Sequence, residues 1–297
     1  MENSKVGLIV FAIVAISLAL GLGLGLGLKD DSDDKTNASL DMSPDMSIVP
    51  NLHAYKWVDL THTFDENSLY WPAAVGTTEE GSFDMEVIYA DDTDNGYYYA
   101  SNQFCTPEHG GTHIDSPIHF ARDRYTTEQL QLDKMNGPGI VIDITQQTSK
   151  DSDYLLSLED VNAFEEKYGT IPSGSIVMLR TGWGNYYGNR TKYFGFVDGL
   201  PKDATNLHFP SYGTDAARLL IEDRDVGVLG IDAPSIDHGP SQSFLVHQLV
   251  FDQNIPALEN VANLDQLPAV GSWIIAMPMK IGSGSGGPAR IAALLPS

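Results

Sequence analysis

The chain has one cysteine, Cys105, in 297 residues, so no intramolecular disulfide can form and the fold rests on burial alone. Positive charge is scarce: 17 Lys and Arg stand against 40 Asp and Glu, a formal charge of −23. A surface of that sign repels a phosphate backbone, and no local basic stripe offsets it, which excludes nucleic acid as a partner. There is no GxSxG elbow, so a serine hydrolase would lack its nucleophile motif. No Walker or dinucleotide-type glycine fingerprint follows a strand either. The stretch Gly282-Ser283-Gly284-Ser285-Gly286-Gly287 precedes no helix pattern and reads as a flexible loop, not a phosphate cradle. Global disorder is excluded by composition, because 42% hydrophobic residues with 13 Tyr, 11 Phe and 4 Trp suffice for a packed core.

What is present begins with an apolar run. Residues 6–28 carry no charge, a length that spans a bilayer and exceeds the roughly 7–15-residue core of a secretory signal. Residues 1–28 therefore read as a signal anchor or transmembrane segment of a single-pass membrane protein with a luminal or extracellular catalytic domain. The alternative is secretion after cleavage near Ser17-Leu18-Ala19. Residues 29–51 are rich in Asp, Ser, Asn and Pro and read as an acidic flexible stalk. The sequons at Asn37 and Asn189 would be glycan acceptors in that setting. Residues 52–297 remain, a length that suits one domain.

Short apolar runs with β-branched residues predict strands at 139–144, 175–181, 226–231 and 273–279. Ser157 opens a helix that ends near Tyr168-Gly169, Thr214 caps a second over 215–224, and residues 243–251 form a third that places His247 mid-helix. Strands and helices intermix, so the class is α/β or α+β, and the pattern leaves the topology open.

The chemistry concentrates in Glu108-His109-Gly110-Gly111-Thr112-His113-Ile114-Asp115-Ser116-Pro117-Ile118-His119-Phe120. Three of eight histidines fall here, and His109, His113, Asp115 and His119 are separated by even numbers of residues. In extended chain such spacing puts side chains on one face, whereas Gly110-Gly111 and Pro117 rule out an unbroken helix. Imidazoles and a carboxylate converging from one face suit a divalent cation such as Zn2+ or Mn2+. His62 could line a pocket or cap a strand. His53 belongs to the stalk, His208 and His238 read as surface residues, and Cys105 as a small core residue on the strand before the cluster.

This stretch resembles the HxGTHxDxPxHF signature of the metal-dependent cyclase family, which includes bacterial kynurenine formamidases and isatin hydrolases. Val58-Asp59-Leu60-Thr61-His62 with Trp71-Pro72 is similar to the family's opening segment. So are Leu179-Arg180-Thr181-Gly182-Trp183 to its central strand and Gly230-Ile231-Asp232-Ala233-Pro234-Ser235-Ile236-Asp237 to its late strand. Pro278-Met279-Lys280 and Gly286-Gly287-Pro288-Ala289-Arg290 are similar to its C-terminal strands. The likeness implies an α/β fold, a mixed β-sheet or barrel-like core with flanking helices of the swivelling β/β/α type.

It also implies that His109, His113 and Asp115 hold a first metal. His119 would ligate a second metal or act as an acid/base. A downstream His and a Glu twelve residues on are supplied by His247 and Glu259, as ligands or catalytic groups; by themselves these read as a core histidine and a surface acid. One or two divalent ions, Mn2+ or Zn2+, would activate water to hydrolyse a C–N bond of a small aromatic amide, formamide or cyclic amide, N-formylkynurenine-like or isatin-like. Cyclisation or dehydration at the same metal, or a tethered non-enzymatic binding protein, are the rival readings. Trp71, His62, Phe120 and Trp183 are the candidate substrate contacts, with Phe209 a further wall residue. The family's habit of assembling as dimers or tetramers carries over as an expectation.

Overall fold

A computed structural model describes residues 51–72, 83–196 and 206–296. Residues from Asn51 onward form one compact unit. Strand β1 (Tyr55–Asp59) is followed by a hairpin of β2 (Asp84–Asp92) and β3 (Tyr98–Cys105), and then by the short β4 (His113–Asp115). Next come β5 (Asn136–Asp143), α1 (Thr145–Thr148), β6 (Leu155–Leu156), α2 (Leu158–Tyr168), β7 (Ile176–Arg180) and α3 (Arg190–Phe194). The last part holds β8 (Ser211–Tyr212), α4 (Thr214–Arg218), β9 (Val228–Ile231), α5 (Leu245–Asp252), β10 (Ala257–Glu259), β11 (Ser272–Pro278) and β12 (Gly286–Pro296).

The main sheet runs β1-β12-β11-β5-β7-β9-β10-β4, and β12 pairs again with β4. That second pairing closes seven strands into a barrel-like core and leaves β1 on the long β12. Strands β5, β7, β9 and β10 are parallel neighbours, and the rest join antiparallel. Strands buried on both faces read as continuous apolar runs, which is why their sequences do not alternate. Residue parity then divides them. Ile140, Ile142, Val177, Leu179, Leu229 and Ile231 pack toward the helices. Val141, Ile176, Met178, Val228, Leu258, Ile274 and Ile291 fill the other core.

The four expected strands are present as β5, β7, β9 and β11. Ser157 caps α2, accepting from the Asp160 amide, while the Asp160 carboxylate accepts from the Ser157 amide. Thr214 is the first residue of its helix and Gly213 the cap, and the helix passes into a π turn over Leu219–Asp223. Cys105 is exposed, not a core residue, because the β2–β3 hairpin stands with nearly every residue open to solvent.

The membrane-anchored placement needs correction. Among the described residues no helix is long and apolar enough to cross a membrane. The longest, α2, has 11 residues, about 16 Å against a hydrocarbon core of about 30 Å. The run at 6–28, residues 29–50 of the stalk and Asn37 lie outside the described residues. Asn189, the other sequon, is exposed and uses its side-chain oxygen to cap α3 through the Lys192 amide.

Candidate metal centre

Parity brings only part of the histidine cluster together. His113 and Asp115 share a face of β4, but that strand is three residues long. His109 reaches them from the preceding loop, and His119 from the end of a 3-10 turn at Pro117–His119. The loop can pack tightly because Gly110 and Gly111 lack side chains. A Cβ on Gly110 would stand 2.0 Å from the Tyr70 ring, and Gly111 holds φ at +58°.

Sheet register supplies the rest. Strand β10 runs antiparallel to β4 with Glu259 opposite His113, so Glu259 shares the face of His113 and Asp115. His247 enters from the first turn of α5, not from its middle. The Asp237 carboxylate accepts the Val246 and His247 amides at 3.0 and 2.9 Å, doing for α5 what an N-cap side chain does elsewhere. It also accepts Nδ1–H of His247 at 2.6 Å, which turns Nε2 inward.

The result is a cluster of three imidazoles and two carboxylates, buried except for the half-buried His109. Asp115 Oδ1 lies 2.6 Å from His109 Nδ1 and 3.2 Å from His113 Nε2, and its Oδ2 lies 3.2 Å from His247 Nε2. Glu259 closes the set, 3.3 Å from His247 Nε2 and 3.7 Å from His113 Nε2. Two groups of potential ligand atoms emerge, His109–His113–Asp115 and Asp115–His247–Glu259, each within 4.8 Å, with Asp115 common to both.

Electrostatics favour a cation here. Burial alone would lower the His113 pKa, but the hydrogen-bonded Asp115 and the nearby Glu259 outweigh it and hold the imidazole at about 9. Burial of His247 is likewise overcome by Asp115, Asp237 and Glu259, which keep it well above its usual range. Burial would raise Asp115, but His109, His113 and His247 hold it well below the carboxylate range. Among the described residues no Lys or Arg lines the cavity, so only the imidazoles balance the two buried carboxylates. Mixed nitrogen and oxygen donors of this kind fit a divalent metal.

The cluster floors a cavity of about 410 Å³. His119 lines it and belongs to neither ligand group. Its ring stacks on His109 at 3.9 Å; the residue stays open to solvent, but desolvation of the ring against its neighbours lowers its pKa, leaving the imidazole neutral at pH 7. Trp71 and Phe120 also line the cavity, Phe120 with its ring 4.6 Å from that of His247. Phe209 sits behind Trp71 in edge contact and does not reach the lining.

Two expected substrate contacts lie elsewhere. Trp183 is buried in the helix-side core and donates its indole N–H to the Tyr193 carbonyl. His62 stacks flat on Tyr187 at 3.6 Å outside the lining, with a pKa that burial lowers to about 4. Sequence reasoning assigned no role to Asp237, Asn260, Glu108 or Ser285. Asn260 holds φ at +55°, accepts the Tyr193 hydroxyl and donates to the Gly111 carbonyl, tying the glycine turn to β10.

A closed mixed barrel carrying a buried His/Asp/Glu donor cluster at the foot of a cavity is the architecture of a metal-dependent hydrolase. The family described as "Putative cyclase" matches residues 58–238, and the chain belongs to that family. An isatin hydrolase of Roseibium aggregatum is 34% identical over 210 residues, 68% of this chain and 77% of its own. A kynurenine formamidase of Bacillus anthracis is 23% identical over 235 residues, 79% and 95% of the two chains. The crystal structure of an isatin hydrolase bound to the product analogue thioisatinate superposes with a TM-score of 0.73 at 29% identity, covering 82% of this chain and 94% of that one.

Proposed function

We propose that the protein hydrolyses the C–N bond of a small, neutral, planar aromatic cyclic amide, of the kind isatin represents. The cavity wall carries the reading: Tyr70, Trp71, Phe120, Phe194 and Phe244 line it with the donor cluster, and among the described residues no lysine or arginine accompanies them. Flat rings match such a wall by stacking and edge contact. An amino-acid head group, as in N-formylkynurenine, would bring a carboxylate for which the described lining offers no lysine or arginine.

His109, His113, Asp115, Glu259 and His247 would hold one or two ions, with Mn2+ and Zn2+ the candidates for this donor set. A bound divalent ion supplies hydroxide from water near neutral pH and polarises the amide carbonyl. Water oxygen bonds to the carbonyl carbon, the C–N bond breaks, and the departing nitrogen takes up a proton. His119, outside both ligand groups and neutral, would pass that proton between water and nitrogen. The partly buried aromatic wall would limit the access of bulk water to the bond being cleaved.

The test uses the purified protein loaded with Mn2+ or Zn2+ and offered isatin and N-formylkynurenine. Ring opening of isatin is expected, abolished by chelation, with N-formylkynurenine the poorer substrate. His119→Ala should retain metal and lose about 10²–10⁴-fold in rate. Metal bound with neither substrate cleaved would overturn the reading. So would a His113→Ala variant with unaltered function, which the binding-protein alternative requires.

A further inference from the structure

The glycine-rich loop between β11 and β12 contributes to neither donor group, yet it is pinned beside them. Ser116 N donates to the Ser285 carbonyl at 2.8 Å and Thr127 N to the Gly284 carbonyl at 3.0 Å. The Thr127 hydroxyl donates to the Gly286 carbonyl at 3.1 Å. Glycine is required at the contact: a Cβ on Gly286 would lie 2.5 Å from His109 Cε1. One carboxylate oxygen of Glu108 accepts both the amide and the hydroxyl of Ser285, at 2.8 and 2.6 Å. The same hydroxyl oxygen lies 2.8 Å from His109 Nε2.

Hydrogen-bond directions decide what this chain of contacts does. An ionised carboxylate only accepts, so the one hydroxyl proton of Ser285 is committed to Glu108. The contact with His109 then has to be one in which Nε2–H donates. That keeps a proton on Nε2 and leaves Nδ1 facing Asp115 Oδ1 at 2.6 Å, where Nδ1–H donates in the metal-free protein and where a bound cation would take its place. Glu108 strengthens the arrangement by drawing on the hydroxyl proton, since hydrogen bonds to charged groups are the stronger ones.

We infer that Glu108 and Ser285 are positioning residues that orient His109 and hold a proton on its Nε2, so that Nδ1 is the nitrogen that serves the His109–His113–Asp115 group. The inference rests on the metal-centre reading above. It is selective: the other group has its own support, since Asp237 and not this relay orients His247. Two segments 177 residues apart thereby act on one ligand.

Zn2+ titration calorimetry on the full chain tests it. His109→Ala identifies the binding event that depends on this ring. Ser285→Ala and Glu108→Gln should weaken that event by about 10–100-fold, with the other unmoved, and Ser285→Thr, which keeps a hydroxyl, should restore it. Wild-type affinity in both variants would overturn the inference alone. A wild-type protein that takes up no Zn2+ would overturn the metal-centre reading with it. Should a variant fail to fold, ¹⁵N NMR of the His109 ring in the Zn2+-loaded wild type decides independently: a proton on Nε2 supports the relay, and a proton on Nδ1 refutes it.

Discussion

Replacing Asp237 by Asn keeps the shape of a buried side chain and removes one acceptor. Asp237 Oδ2 receives the amide and ring Nδ1–H of His247, and Oδ1 receives the Val246 amide. The new amide nitrogen can stand in only one of these places. Facing Val246 it forfeits one hydrogen bond; facing His247 it forfeits two, so the first orientation wins. One buried N–H then meets another donor, at a cost of about 1–3 kcal/mol. For a domain of this size that is a fall in Tm of about 2–12 °C.

His247 would keep an acceptor on Nδ1, but a neutral one. Metal affinity at the Asp115–His247–Glu259 group should therefore drop toward the lower end of the 10–100-fold range for partners behind a metal ligand. Differential scanning calorimetry and Zn2+ titration on the same preparation read both quantities. An Asn variant with wild-type Tm and wild-type affinity would show that Asp237 neither caps α5 nor orients His247.

Two further outcomes follow from the same geometry. Gly286→Ala puts a methyl 2.5 Å from His109 Cε1 and 2.6 Å from the Ile114 carbonyl, where the backbone cannot yield. Activity should fall at least about tenfold with about 1–3 kcal/mol of stability, read by turnover and thermal melts, and a fully active variant would contradict the packing described. His113, held at about 9 in the metal-free protein, is raised above its ordinary 6.5. Its proton therefore stabilises the metal-free fold fully below pH 6.5, and that contribution is lost as pH rises through about 9. Metal must displace this proton, so calorimetry at pH 7 in buffers of different ionisation enthalpy should report proton release that fades above pH 9. A buffer-independent heat at pH 7 would refute it.

Much of this molecule is local and could be read from the chain. The β5, β7, β9 and β11 strands follow from β-branched apolar runs, and α2 from its capping box, because a strand or a cap is specified by neighbouring residues. The His109-to-His119 segment stands out as a source of ligands for the same reason: its residue types are unusual for so short a stretch. The expected shared face holds for His113 and Asp115 alone, since Gly110-Gly111 and Pro117 turn the chain on either side of β4.

The site itself was decided by tertiary structure. Glu259 faces His113 because β10 and β4 adopt one antiparallel register, and a one-residue slip would send it to the other face. His119 drops out of the ligand groups because a 3-10 turn, not a strand, carries it. Trp183 and His62 turn away from the cavity because core packing claims one and Tyr187 the other. The flexible-looking glycine-serine loop becomes fixed through Glu108 and Thr127, partners more than 150 residues away in the chain. Sequence determined which side chains could bind a cation and where strands and caps begin, since those depend on neighbours along the chain. Only the closed barrel decided which of them meet, because strand register, helix entry and loop anchoring are set by contacts between segments far apart in the chain.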